Sequence, residues 1–307
     1  MRAVVFAYHN MGICGLEALK KTGFDIAAIF SHEDDTGENC WFDSVVEWAN
    51  RNRIEIFCPT DVNTPAWIEK VSRLAPDVVF SFYFRHMLSQ DILSIPTSGA
   101  YNLHGSLLPA YRGRAPVNWA IVNGEKKTGV TLHHMTVKPD AGDIVGQKAV
   151  EIDFQDTART LYDKLCEAAR EMLAEILPLI REGRATRIPQ ELTKGSYYGG
   201  RKPEDGRIDW SWPAVRIYNL VRAVTEPYPG AFGYLPGAGK ILIWWALPQE
   251  KRRSEDAPGR IEVENEDVFV KTGDGRLKLV DIEIAGSRIK RGQIFDYFKN
   301  KEGLTLT

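Results

Sequence analysis

Hydrophobic and polar positions follow two rhythms along this chain, and the first half switches between them regularly. Residues 2–7 (RAVVFA), 25–31 and 77–82 (DVVFSF) are short runs rich in apolar residues, as expected of strands buried on both faces. Between them, 12–21 carries Ile13, Leu16 and Leu19 at helical spacing, and 41–50 reads as a second helix. After Thr64 and Pro65, a proline allowed in a first helical turn, Trp67, Ile68, Val71 and Leu74 share one face until Pro76 ends the helix. Residues 54–57 read as a third strand, 86–93 as a short helical turn and 99–103 as a fifth strand. This alternation predicts a Rossmann-like α/β domain, a mostly parallel sheet with helices on both faces. Ligands of such sheets bind beyond the C-terminal strand ends. That rule draws the turn at 8–11, the segment 82–88 and the end of the fifth strand toward one cleft.

Residues 115–123 read as a helix stopped by Gly124, 129–135 and 144–152 as two strands, and 157–182 as a long amphipathic helix closed by Gly183. The stretch 189–206 is rich in Gly, Lys and Pro without a period and reads as a linker. Beyond it come a helix at 212–224 and short strands at 231–235, 240–247, 259–264, 267–271 and 276–284. Gly, Asp and Asn turns separate them, which predicts a small OB-like β-barrel, followed by a last helix at 290–300. The expected division is 1–188, a linker at 189–206, and 207–307.

Composition changes this picture little. The 307 residues are 44% apolar and 26% charged with net charge −2, so nothing draws the chain to nucleic acid in general. No apolar run is long enough to span a membrane, and the N-terminus reads as a first strand rather than a leader. Cys14, Cys40, Cys58 and Cys166 are scattered, which suits free thiols in a reducing cytoplasm.

The candidate chemistry lies at 99–140. Asn102 and His104 are two apart in the fifth strand and therefore share a face. An imidazole can move a proton near neutral pH, and a carboxamide N–H can hold a developing oxyanion. Asp140, in the turn KPDAGD, is a carboxylate expected to orient the ring and raise its pKa. Asp is common in such turns for local reasons. His133 and His134 invite a metal reading, but neighbours in a strand face opposite sides and cannot share one ion from regular geometry. Arg112 and Arg114 could be solvated loop charges, while KRRSED at 251–256 reads as a solvated loop and Trp244-Trp245 as strand packing.

NLHGSLLPAYRGRAP, followed by TGVTLHHM and DAGDIVGQ, resembles the formyltransferase family that uses 10-formyltetrahydrofolate. The family pattern Asn-x-His-x-Ser-x-x-Pro, Arg-Gly-x-x-Pro and a later aspartate falls on Asn102, His104, Ser106, Pro109, Arg112-Gly113, Pro116 and Asp140. The likeness extends through VVFAYHNMG, DVVFSFYFRHML and VRAVTEPYPGAF. It implies that Asn102 stabilises the transition state, His104 handles the proton and Asp140 tunes the ring. It further implies folate contacts at His86, Met87, Leu88, Arg114, Thr136, Val137, Lys138, Pro139 and Asp140, and an amine substrate on the side of Tyr8, His9, Asn10 and Met11. The branch most resembled formylates UDP-4-amino-4-deoxy-L-arabinose in lipid A modification and polymyxin resistance. Bifunctional members of that branch also carry an oxidative decarboxylase half, for which this chain is too short; a stand-alone homologue or that formyltransferase half is expected.

Two rivals compete with the sugar reading. Methionyl-tRNA formyltransferase shares the same three residues, yet a tRNA partner calls for basic surface. Basic and acidic residues nearly balance from residue 205 onward, and the loop HEDDTGEN is acidic. The second rival is a formylfolate-binding regulatory module without turnover, against which the intact trio argues. No metal is expected.

Overall fold

Strand β1 (Arg2–Ala7) is buried from Ala3 onward and lies third in a seven-stranded sheet. Strands β2 (Asp25–Phe30) and β4 (Val78–Phe82) flank it in parallel, and β3 (Ile56–Phe57) extends the sheet beyond β2. Strand β5 (Ala100–His104) runs parallel beside β4. Direction then reverses: β7 (Lys127–His134) pairs antiparallel with β5, and β8 (Ile144–Glu151) antiparallel with β7. A separate two-residue strand, β6 (Arg112–Gly113), pairs in parallel with β9 (Tyr197–Tyr198). The computed structural model describes residues 1–34, 41–250 and 257–307; the acidic loop from Asp35 on, Cys40 and the 251–256 segment lie outside the described residues.

Helices cover both faces of this sheet. On one face Val4, Phe6, Phe30 and Val79 pack with Val71 of α3 (Pro65–Arg73). On the other, α1 (His9–Lys21) presents Gly15, where a Cβ would lie 2.2 Å from the Phe82 ring, so the helix approaches β4 through a bare backbone. Helices α2 (Val45–Asn52) and α4 (Gln90–Leu93) start later than the apolar pattern suggests, because Ser44 and Ser89 cap them by accepting the Glu47 and Ile92 N–H groups. Helix α1 starts earlier than expected: His9 takes φ +64, and the presumed turn at 9–11 is its first turn.

The chain divides into two compact units: 1–116 with 127–151 and 162–199, and 117–126 with 152–161 and 200–307. Helix α5 (Pro116–Val122) falls almost wholly in the second, and α6 (Ala158–Arg181) belongs to the first from Tyr162 on. The second unit also holds α7 (Ala214–Val224), α8 (Arg291–Phe298) and six described strands. These are β10 (Ala231–Leu235), β11 (Gly239–Gln249), β12 (Ile261–Glu264), β13 (Asp267–Lys271), β14 (Arg276–Ile284) and β15 (Ser287–Lys290), all antiparallel. The hydrogen-bonded path is β10-β11-β14-β13-β12, with β15 on β14. Strand β15 escaped the sequence pattern because SRIK has a single apolar residue. The last residues bridge the two ends of the path. Thr307 exchanges backbone hydrogen bonds with Tyr234 of β10 at 2.8 and 3.0 Å, while Ile261 of β12 donates to Leu304 O at 2.8 Å. The expected barrel is thus closed by the C-terminal segment rather than by a further paired strand.

Candidate functional site

The register of β5 against β7 sets the site. Asn102 stands opposite His133 and His104 opposite Thr131, so Asn102, His104 and His133 lie on one face. Asn102 Nδ2 donates to His133 Nε2 at 3.1 Å and lies 3.5 Å from Asp140 Oδ1. His133 Nδ1 donates to His134 O at 2.8 Å, so in the neutral ring Nε2 is the acceptor for the Asn102 amide. His133 is buried, and its Nε2 is 3.5 Å from Asp140 Oδ1.

His104 is also buried, and its Nε2 donates to Tyr111 O at 2.8 Å. That bond fixes the neutral tautomer and leaves the lone pair on Nδ1, 3.6 Å from Asp140 Oδ1. The separation exceeds a good hydrogen bond. A proton taken up by His104 therefore arrives at Nδ1, beside the carboxylate. Asp140 Oδ2 accepts the Gly113 backbone N–H at 2.8 Å.

The electrostatics follow from this packing. Against the rise expected from sequence, burial pushes the His104 imidazole below its ordinary range; the Asp140 charge and the Tyr111 carbonyl pull it only partly back, and His133 opposes them. The ring is thus neutral near pH 7, as a proton acceptor must be. Burial alone would raise Asp140, but His104, His133 and the Gly113 N–H outweigh it and hold the carboxyl at about 2. His134 is held down at about 4, first by burial and then by Arg187, and its ring packs 4.6 Å from that of Tyr101.

The loop after β5 is bent to make these contacts. Tyr111, Gly113 and Ala115 all have positive φ, as does Asp140. At Gly113 (φ +97) a Cβ would lie 2.2 Å from Tyr198 O, so both the backbone angle and the space call for glycine. Arg112 is not the solvated charge that the sequence left open: it is buried and sends Nη2 toward Leu192 O at 3.4 Å, and β6 pairing with β9 turns it inward. Arg114 stays exposed, its N–H donating to Tyr198 O.

The remaining predicted residues separate by exposure. His86 and Met87 are exposed after β4, whereas Leu88 sits in the core. Thr136, Val137 and Lys138 are exposed after β7, Pro139 is half-buried, and Thr136 Oγ1 donates to Lys138 O. Tyr8, His9 and Met11 are buried, and only Asn10 of that turn is half-exposed, its Oδ1 accepting the Asp43 N–H. Tyr162 explains the burial: its hydroxyl accepts Met11 N–H at 2.8 Å and donates to His9 Nδ1 at 2.6 Å. The Phe42 ring lies tilted against the His9 ring, with centroids 3.8 Å apart.

Three members of this constellation escaped the sequence reading: His133, Gln190 and Ser196. Gln190 Nε2 donates to Asp140 O and Gly142 O, and Ser196 Oγ accepts the Tyr111 N–H. The signal for His133 was available in principle, since an antiparallel β5–β7 pair puts it opposite Asn102. Nothing in the composition of 189–206 marked the other two.

Residues 1–177 match the family model described as formyl transferase, and 201–297 the model of the formyl transferase C-terminal domain. Among solved structures, a sugar 3N-formyl transferase, WlaRD, in the presence of dTDP and 5-N-formyl-THF, is 20% identical with TM-score 0.70, covering 94% of this chain and 98% of that one. The N-formyltransferase from Helicobacter canadensis, in complex with folinic acid and dTDP-3-aminofucose, is 22% identical with TM-score 0.69, covering 91% and 98%. Methionyl-tRNA formyltransferase from Clostridium thermocellum is 17% identical with TM-score 0.54, covering 94% and 99%. At these identities the likeness is one of fold. No helix among the described residues is long and apolar enough to cross a membrane.

Proposed function

This chain belongs to the formyl transferase family, and from that premise we propose that it moves the formyl group of 10-formyltetrahydrofolate to the primary amine of a nucleotide-linked amino sugar, with UDP-4-amino-4-deoxy-L-arabinose as the preferred acceptor. The observation that carries this reading is that Asp140, far along the chain from the Asn102 and His104 pair, brings its Oδ1 to 3.5 Å from Asn102 Nδ2 and 3.6 Å from His104 Nδ1. The two sugar N-formyl transferase structures of similar fold support the class of acceptor.

Exposed apolar side chains in the proposed folate segments support this reading of the co-substrate. Met87 is 52% and Val137 62% exposed, apolar side chains in two of the segments proposed to hold it. A flat pterin suits such side chains, with Arg114 and the backbone of 136–140 as polar partners. When bound, 10-formyltetrahydrofolate supplies the formyl carbon, and its nitrogen leaves with a proton.

The residues of the chain do the rest. His104 Nδ1 accepts a proton from the attacking amine and returns it to the leaving nitrogen. Asp140, ionised at all physiological pH, stabilises the imidazolium between those transfers. The Asn102 N–H on the Asp140 side donates to the oxygen that gains negative charge, while its other N–H stays on His133. Proton transfer of this kind contributes about 10²–10⁴-fold and an oxyanion donor about 10²–10³-fold. Neither step needs a covalent enzyme intermediate.

The test is formyl transfer to a panel of UDP-, dTDP- and GDP-linked amino sugars and charged initiator tRNA. The highest kcat/KM is expected on the UDP-linked 4-amino sugar. Preference for a dTDP-linked sugar would overturn the carrier assignment, and preference for tRNA the acceptor class. Binding of formylfolate without turnover on any amine would favour a regulatory module.

A further inference from the structure

We propose that Gln190 and Ser196 are positioning residues of the site, and that the segment 190–198 is a strap fixing both partners of the His104 ring. The inference rests on the formyl transferase reading for its consequence and on the geometry for its content. His104 is held at Nε2 by the carbonyl of Tyr111 and faced at Nδ1 by the carboxylate of Asp140. Neither partner is held by its own strand. Tyr111 and Asp140 both adopt left-handed backbone, which non-glycine residues adopt rarely and keep only when their surroundings enforce it.

The strap supplies that enforcement. Gln190 Nε2 donates its two hydrogens to two carbonyls of one turn, Asp140 O at 3.0 Å and Gly142 O at 2.6 Å. A carboxamide nitrogen meets both; a hydroxyl has one proton, and a carboxylate would oppose two carbonyl oxygens with its own. Six residues on, Ser196 Oγ accepts the Tyr111 N–H at 2.9 Å. The Ser196 backbone donates to Pro109 O at 3.2 Å and accepts from Arg112 N–H at 3.0 Å. Tyr198 then stacks its ring on that of Tyr111, with centroids 5.1 Å apart. A stretch whose composition reads as linker thus ties the loop after β5 and the turn between β7 and β8 into one frame.

The groups facing the His104 ring are Asp140, His133 and the Tyr111 carbonyl; those facing Asp140 are His104, His133, the Asn102 amide and the Gly113 N–H. Asp140 and the carbonyl both favour the protonated ring, so loosening either lowers its proton affinity.

The experiment is an NMR titration of the His104 ring, assigned by its loss in His104→Gln, in the wild type, Gln190→Met and Ser196→Ala, with formyl transfer and Tm measured on the same samples. The expected result is a downward shift of the His104 pKa in both variants and a rate loss of about tenfold or more, the size of one lost hydrogen bond at the transition state. If Gln190→Met does not fold, Gln190→Asn, which keeps the amide but shortens its reach, takes its place. A His104 titration that does not move in the folded variants overturns the proposal, whether or not the rate falls. The titration needs no substrate. A moved titration with no sugar formylation would therefore sink the acceptor assignment and leave the strap intact.

Discussion

The Gly113 backbone N–H donates to Asp140 Oδ2 at 2.8 Å, joining the loop after β5 to the turn between β7 and β8. Gly113 stands at φ +97, with Tyr198 O 2.2 Å from where a Cβ would be. Gly113→Ala must either strain the backbone, at roughly 1–3 kcal/mol, or push β9 away. Either response moves the donor. The expected outcome is a lower Tm and a rate loss of about tenfold or more, read by thermal melting and initial rates. Wild-type activity in Gly113→Ala would show that this bond does not aim the carboxylate.

Removing the reacting groups should cost activity far more than stability. Asn102→Ala and His104→Ala are expected to lower kcat by about 10²–10⁴-fold. Circular dichroism should stay unchanged, because neither side chain takes part in the backbone ladder that holds β5. Loss of folded structure in both variants would recast the pair as architectural.

His133 orients Asn102 by accepting its N–H at 3.1 Å. His133→Gln keeps an acceptor near the position of Nε2, whereas His133→Leu removes it. The leucine variant should lose about tenfold in kcat, the worth of one hydrogen bond, and the glutamine variant much less. Equal losses in the two, measured by steady-state kinetics, would mean that shape rather than the acceptor matters.

Acid stability carries a signature of the same site. Burial holds His104 below its ordinary 6.5, and Asp140 lies at about 2 against an ordinary 3.8. Both native values lie below the unfolded ones. Each contribution is complete above the unfolded pKa and is lost as pH falls through the native one. The His104 share is lost from 6.5 downward and the Asp140 share between 3.8 and about 2. His134, held at about 4, contributes alike to wild type and variant. Between about pH 7 and pH 5, His104→Gln should therefore lose less Tm than the wild type. A variant that loses as much or more would contradict a buried neutral ring.

Much of this is legible in the sequence. The apolar runs of β1, β4 and β5 are buried parallel strands, which sequence reads well because both faces exclude water. The i, i+2 spacing of Asn102 and His104 survived intact, since strand geometry guarantees it. What was missed depends on contacts between distant segments. His133 needed the β5–β7 register, and the start of α1 at His9 needed a positive φ enforced by Tyr162 and Phe42. Gln190 and Ser196 act through side-chain bonds to backbone that no periodicity encodes. The aspect of the fold least visible in sequence was the closing of the second unit by Leu304–Thr307, because a tail's partners are set only by tertiary pairing.

The most direct test of the whole reading is a single-turnover reaction with UDP-4-amino-4-deoxy-L-arabinose and 10-formyltetrahydrofolate, following tetrahydrofolate by absorbance and the sugar by mass spectrometry. The expected result is one formylated amine for each tetrahydrofolate released, abolished in His104→Ala. Release of tetrahydrofolate without formylated sugar, or formylation that persists in His104→Ala, would contradict it.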